Sequence, residues 1–457
     1  QSGLPYILVY NFDPKLNEMK EVSLRHLQFQ FHSILELNEA LERNNRKVEL
    51  VYGSTKDFLA ELHSIYRVRN IYSYQETGTL ASWERDKDVQ QWCTVNDVAW
   101  YQSQYNGVQR GRRDRADWDK EWYIKMSKEV IVNKISVPKV FIDAPVGFEI
   151  PDKLLSKWSS YPKNFQKPGE KAAWKYLDSF MNGRGENYQK HISKPAMSRM
   201  SCSRLSVYLA WGNISINQAY QYVKNHPNFT NAKRAYNSFL QRLKWHDHFI
   251  QKFEMECAYE YRCVNRGYDL LEYDKNEQYI KAWKEGKTGV PLVDANMRCL
   301  HETGWINFRM RAMLVSYFCH HLGQNWKDGA HFLAQQFLDY EPGIHFPQFQ
   351  MQAGITGTNT IRVYNPVKQA KDHDSEAEFI KNWVPELRDY SADLALHPWK
   401  ITEMDQLLSK SQLMYPKPIV DLSVSVRQNT KRLWEHKKNP DVFQESRRII
   451  KKHTRNK

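Results

Sequence analysis

The sequence predicts an α/β domain with a parallel sheet, followed by a larger all-α domain. Three observations carry that expectation. Strands and helices alternate over residues 6–74; residues 134–170 hold five prolines and little periodicity; and helical spacing runs almost unbroken over residues 170–383. Strand, helix and strand in short succession imply parallel pairing through crossover helices, an open α/β sheet. The expected organisation is an α/β domain over 1–133, a linker over 134–169, an α-helical domain over 170–426 and a basic tail over 427–457.

Each element has its own signal. Tyr6-Ile7-Leu8-Val9-Tyr10 is a short apolar run closed by the turn Asp13-Pro14. Over residues 23–44, Leu24, Leu27, Phe31, Ile34, Leu35, Leu37 and Leu41 recur at helical spacing. Val48-Glu49-Leu50-Val51-Tyr52-Gly53 is the next strand, residues 55–66 the next helix, and Asn70-Ile71-Tyr72-Ser73-Tyr74 a third strand. Residues 102–120 break the alternation with a polar, glycine-containing loop that carries Arg110, Arg112, Arg113 and Arg115. The chain shows no internal repeat of the length that builds solenoids.

Composition narrows the function classes. The chain has 457 residues, 41% hydrophobic and 26% charged, which is globular and not disordered. No stretch approaches the roughly 18 to 20 apolar residues that a membrane helix needs. Lys and Arg number 66 against 52 Asp and Glu, for a net +14. Residues 427–457 hold 11 basic and 3 acidic residues, +8 of that total. A basic body with a basic tail favours a polyanionic partner, nucleic acid before an anionic membrane surface. Cys93, Cys202, Cys257, Cys263, Cys299 and Cys319 are dispersed, with no C-x-x-C pair, so neither a disulfide framework nor a metal site is expected. That usage fits a reducing, cytoplasmic compartment.

In Ser201-Cys202-Ser203-Arg204-Leu205-Ser206, small hydroxyl residues stand ahead of an apolar helical run. They supply caps and orphan N–H groups, as an ordinary capped helix does and as an anion cradle does. Gly286-Lys287-Thr288-Gly289 is no P-loop, because the first glycine and the preceding strand are absent.

Taken in order, the motifs resemble the photolyase–cryptochrome family. They are Tyr188, Ser203-Arg204-Leu205-Ser206, Trp283 through Gly289, Val293-Asp294-Ala295 with Met297-Arg298, Thr303-Gly304-Trp305 and Thr356-Gly357-Thr358. Asn365-Pro366, Phe379-Ile380, Trp383-Val384-Pro385-Glu386-Leu387, His397-Pro398-Trp399 and Tyr415-Pro416-Lys417-Pro418-Ile419-Val420 follow. The resemblance covers nearly the whole chain. It implies FAD held without a covalent bond in the helical domain, beneath a pocket that admits a flipped pyrimidine dimer. It also implies a DNA photolyase, a carbon–carbon lyase acting on UV-damaged DNA as a monomer with no membrane involved. Cyclobutane dimers are the favoured lesion; the alternatives are a (6–4) photolyase and a cryptochrome photoreceptor without repair activity.

Carried over residue by residue, the resemblance puts Tyr188, Cys202, Ser203, Arg204, Leu205, Ser206, Phe239 and His246 around the cofactor. It pairs Arg311 with Asp339 beside the flavin and sets Glu341 near the ribose. Trp245 is implied as the ring that packs on the lesion, with Arg242 and Gln352 as further substrate contacts. Trp283 and Trp326 match the outer and middle members of an electron relay. The inner position falls on or near Gln350, with Tyr317 and Tyr364 as rings that could complete the path.

The chain also departs from the family. Arg242 stands where many relatives carry Glu or Gln, and His246 where most carry Arg. A further strand and helix are expected ahead of Leu8, so the sequence is expected to be N-terminally incomplete. Glu76-Thr77-Gly78-Thr79 does not reproduce the usual folate-binding pattern, so no antenna pigment is assigned. The loop 110–115 and the basic tail are expected to meet DNA.

Overall fold

A computed structural model describes residues 4–133, 135, 140 and 142–453. The opening Gln1-Ser2-Gly3, linker positions 134, 136–139 and 141, and tail positions 454–457 lie outside the described residues.

β1 (Leu8–Phe12) pairs in parallel with β2 (Val48–Tyr52), Leu8 opposite Val48 and Phe12 opposite Tyr52. The helix Leu24–Leu41 makes the crossover. The helix Thr55–Tyr66 leads on to β3 (Asn70–Tyr74), and the helix Leu80–Val95 connects β3 to its parallel partner β4 (Ala99–Ser103). The parallel pairing is as expected, but the single open sheet is not. Among the described residues there are two separate two-stranded sheets, β1–β2 and β3–β4. Val9 of β1 and Val51 of β2 share a small core with Phe58, Val68, Ile142 and Ala144.

The expected linker holds more structure than its prolines suggest. It contains the helix Asp152–Trp158, and the fully buried Trp158 lies 4.6 Å from Phe12, ring centre to ring centre. The expected tail is likewise folded as far as His453. It forms the helices Leu422–His436 and Pro440–His453. The second is clamped by Glu256, which takes Arg448 at 2.9 Å and His453 at 3.1 Å.

The helical region has two cores. One gathers Trp118, Trp122, Tyr188, Leu205, Tyr208, Phe239 and Leu243; the other gathers Phe253, Trp283, Met297, Phe318, Trp326 and Phe349. The helix Lys233–Glu254 contributes to both.

That helix also fastens the front of the chain to the back. The Asp247 carboxylate, with no solvent exposure, accepts from Gly107 N at 2.9 Å and from Trp122 Nε1 at 2.8 Å. One turn on, Gln251 Oε1 accepts from Gln109 N at 2.7 Å, and Gln251 Nε2 donates to Gln109 O at 2.9 Å. On another side, Ser23 Oγ donates to Gln335 O at 2.8 Å and Arg25 Nη1 to Gln336 O at 2.6 Å.

Asp247→Ala strands two buried donors at once. Each unsatisfied buried group costs about 1–3 kcal/mol, so the variant should lose roughly 3 kcal/mol of stability by urea unfolding. A loss below about 0.5 kcal/mol, the ordinary scatter of surface substitutions, would remove Asp247 from this role.

Candidate flavin and substrate site

The cradle begins where the helix Pro195–Ser201 stops at Cys202 and the helix Ser206–Ala210 has yet to start. Between them Arg204 takes φ +61°, a left-handed conformation that a residue with a side chain adopts only under restraint. The restraint is its own side chain. The guanidinium holds Gln166 Oε1 at 3.0 and 2.7 Å and lies 4.0 Å over the Trp305 ring, and Gln166 Nε2 donates back to Arg204 O at 2.9 Å. Arg184 Nη1 donates to Cys202 O at 2.7 Å. The carbonyls of Cys202 and Arg204 are thus tied off. The backbone N–H groups of Ser203 and Arg204 meet no acceptor among the described residues. Ser203 Oγ accepts only from Leu205 N at 3.4 Å, and Ser206 Oγ accepts from Trp305 Nε1 at 3.3 Å. A buried turn rich in spare N–H groups suits the phosphates of a dinucleotide. Arg204 therefore contributes backbone to the cradle, with its side chain spent as a brace. Burial pushes the Cys202 thiol up to about 12, so it stays neutral.

Tyr188 and Phe239 close the neighbouring wall. Tyr188 opens the helix Tyr188–His191 and packs edge-on against Phe180 at 5.7 Å and Phe239 at 6.2 Å. Burial raises the Tyr188 phenol above its ordinary value.

Arg311 and Asp339 come together as expected. Arg311 Nη2 donates to Asp339 Oδ2 at 2.8 Å, Nε donates to Ile306 O at 2.9 Å, and the guanidinium lies 4.1 Å over Phe337. The other carboxylate oxygen, Asp339 Oδ1, is buried without a partner. That orphan acceptor, with the free N–H groups at the cradle, is the pattern a large polar cofactor would satisfy. Glu341 caps the helix Pro342–Gln352 by accepting from Gly343 N at 3.3 Å, and burial pushes its carboxyl up to about 7 against the pull of His246. His246 itself bonds its neighbour Asp247 at 3.4 Å.

The expected relay is placed in part. Trp283 and Trp326 are both fully buried, but no direct ring contact joins them among the described residues. Trp283 lies 4.3 Å from Phe318, and Trp326 lies 6.4 Å from Phe349. Phe318 and Phe349 approach each other across Gly329, where a Cβ would meet them at 2.9 and 3.2 Å; the missing side chain admits both rings. Phe349 continues to His345 at 5.8 Å, and His345 to Phe337 at 6.1 Å, under Arg311.

The inner position, on or near Gln350, holds no tryptophan. Gln350 turns the other way, with Oε1 accepting from Val264 N at 2.6 Å and Nε2 donating to Tyr259 O at 2.8 Å and Arg262 O at 2.9 Å. The ring beside Trp326 is Phe349, because one residue along a helix rotates the side chain by about 100°. Tyr317 stacks on His321 at 5.3 Å. Tyr364 lies near Arg309, 5.8 Å from its guanidinium.

On the outer face, Trp245 is half exposed and Arg242 lies 4.8 Å from its ring centre. Gln352 is not brought to them by any hydrogen bond among the described residues; its carbonyl accepts from His320 Nε2 at 2.9 Å. The loop 110–115, expected to meet DNA, engages most of its arginines within the fold. Arg110 pairs with Asp86 at 2.6 Å, Arg112 bonds Glu121, and the buried Arg115 lies 3.9 Å over Trp118. Three of its four arginines hold the fold together; only Arg113 stands exposed.

Sequence reasoning gave no role to Phe349, Phe308, Gln166 or Trp305. The aromatic in Phe349-Gln350-Met351-Gln352 was the available signal for the first. Gln166 carries none, since its role exists only through contact with Arg204.

A protein-family model described as the FAD binding domain of DNA photolyase matches residues 239–435. A deoxyribodipyrimidine photo-lyase of Escherichia coli K12 is 34% identical over 310 residues, 66% of this chain and 63% of that protein. The chain thus spans less than two thirds of that relative's length. A cryptochrome DASH of Synechocystis is 24% identical over 94% of this chain and 93% of its own. Among solved structures, an archaeal photolyase from Sulfolobus tokodaii, described with two FAD molecules, superposes with a TM-score of 0.76 at 25% identity, covering 94% of this chain and 93% of that one.

Glu341 makes a pH signature. Its folded value near 7 stands above the ordinary 4.5, so its protonated form stabilises the fold at low pH and that contribution is lost as pH rises from about 4.5 through 7. Glu341→Gln should flatten that part of the stability profile, read from urea midpoints between about pH 5 and pH 8. An unchanged profile would assign the slope to other groups.

Proposed function

Because the chain belongs to the photolyase–cryptochrome family, we propose that it is a light-dependent DNA photolyase that splits UV-induced pyrimidine dimers, the cyclobutane type favoured. The observation that carries this reading is the Arg311–Asp339 pair, its second oxygen unpartnered, in the same domain as a turn with spare buried N–H groups. Bound FAD, reduced and excited by blue light, would supply the electron that opens the dimer, and the electron would then return to it.

The residues around it do the holding. The turn of Cys202, Ser203, Arg204, Leu205 and Ser206 would take the diphosphate on its backbone, with Tyr188 and Phe239 as a wall and His246 beside Glu341. Arg311, fixed by Asp339 and Phe337, would set a permanent positive charge beside the ring system. Trp245 would take one face of an extruded base, and Arg242 would hold the phosphate next to it. Extruding a damaged base costs less than extruding an intact one, since the lesion already stacks poorly. Trp283 and Trp326 would serve as the oxidisable rings of the relay, spaced by Phe318 and Phe349.

A cryptochrome-type photoreceptor is the second reading, favoured by the 94% coverage shared with the Synechocystis cryptochrome DASH. A repair assay under blue light, with chemically reduced protein and both cyclobutane and (6–4) substrates, separates the two. Repair of either lesion supports the enzyme and names its class; repair of neither supports the photoreceptor.

Arg311→Leu should retain much less flavin through purification, read from absorbance after denaturation. Full retention would move the charge to another residue. Trp326→Phe should slow light-driven flavin reduction with an external donor at least severalfold, while repair by chemically reduced protein stays near the parent rate. A parent-like reduction rate would send the relay through other rings.

A further inference from the structure

The helix Glu403–Ser409 is turned inside out. Met404 is 64% exposed, Leu407 74% and Leu408 75%, at the i, i+3 and i+4 spacing that shares one face. Its half-buried positions are the polar ones, Asp405, Gln406 and Ser409. A surface helix ordinarily sets its apolar stripe toward the core, so the reversal leaves three large side chains in water with no reason from folding. Met414, 73% exposed, and the exposed Trp399 stand on the two sides of it in the chain.

The helix is nevertheless held. Thr402 N and Oγ1 donate to Asp405 Oδ2 at 2.8 and 2.7 Å, and Asp405 N donates to Thr402 Oγ1 at 3.2 Å, which closes a capping box. Behind it, Gln406 Oε1 accepts from Leu413 N at 2.9 Å, and Tyr390 OH donates to Ser411 O at 2.7 Å. The leucines are thus displayed on a supported element. Charge is arranged along the same line. Glu403, Leu407 and Lys410 follow at i, i+4 and i+7, acid at the start and base at the end, and neither Glu403 nor Lys410 has an ion-pair partner among the described residues. Two copies of a chain with net +14 repel each other, yet residues 399–414 hold two lysines against two acids. A balanced stretch of this kind draws neither a polyanion nor an anionic membrane, and it is where like copies can meet.

We propose that this face joins two copies of the chain, the two helices packing antiparallel about a two-fold axis beside Leu407. Antiparallel pairing sets Glu403 of each copy against the partner's Lys410 and gathers the leucines into a dry centre between the two ion pairs. A few side chains from each copy make a small interface, so the dimer belongs to the weak, reversible class. The inference goes beyond the reading of light-dependent repair and does not depend on it.

The test is sedimentation velocity of the purified chain from about 1 to about 500 μM, where a reversible monomer–dimer equilibrium is expected. Leu407→Glu should raise the dimer dissociation constant at least roughly tenfold and leave the unfolding temperature unchanged, since folding does not use that side chain. Leu407→Met should keep the constant within about twofold, which separates lost apolar contact from a damaged helix. Glu403→Lys and Lys410→Glu should each weaken the dimer roughly fivefold by placing like charges together, and the variant carrying both should recover the parent affinity. A parent chain that stays monomeric throughout, a dimer indifferent to Leu407→Glu, or a double variant no tighter than the single ones would overturn the proposal. Co-flotation of a monomeric parent with vesicles of phosphatidylcholine and phosphatidylglycerol, lost in Leu407→Glu, would overturn it in favour of a lipid surface.

Discussion

A single helix, Lys233–Glu254, imposes the constraint on which the rest of the structure depends. Its buried Asp247 and Gln251 hold the loop that follows β4, its Phe239 and Leu243 sit in one core and its Phe253 in the other, and its Arg242 and Trp245 face outward. The carboxylate is the critical group. A buried carboxylate left without donors would be costly, and Gly107 and Trp122 are the donors that satisfy it. Bringing them fixes the front of the chain against the same helix that carries the outer edge of the site.

The site concentrates positive charge without scattering it, and it does so by giving each cation a flat partner. Arg204 lies on Trp305 and Gln166, Arg311 on Phe337 and Asp339, and Arg242 between Trp245 and Phe308. A guanidinium is weakly hydrated and stacks well, so this arrangement limits the desolvation cost that clustered lysines would incur. The arginines of the loop 110–115 follow the same physics to the opposite end. Paired with Asp86, Glu121 and Trp118, Arg110, Arg112 and Arg115 join elements of the fold, and Arg113 alone of the four stands exposed.

What was legible in the sequence was the part encoded by local chemistry. The turn of Ser203 to Ser206 announces itself through small hydroxyl residues before a helix, and the structure shows why they stand there. Arg311 and Asp339 are 28 residues apart; the family resemblance, not their local sequence, implied the pair, and they meet at 2.8 Å. At the inner relay position, helix register decides what the chain presents. Gln350 and Phe349 are adjacent in sequence and point to different cores of contact, one to backbone carbonyls and one to Trp326.

The sequence by itself determined the order of strands and helices, the parallel sense of the strands, and the small hydroxyl residues of the turn at Ser203 to Ser206. These follow from periodicity and from short motifs, which act over a few residues. Only the tertiary structure decided that the sheet is split in two, that the expected tail is clamped down by Glu256, and that Gln166 and Trp305 hold Arg204 in a left-handed turn. It also decided that Phe308 comes beside Arg242, 66 positions earlier in the chain. Each of these is a contact between distant segments, and its energy appears only once the chain has closed around it.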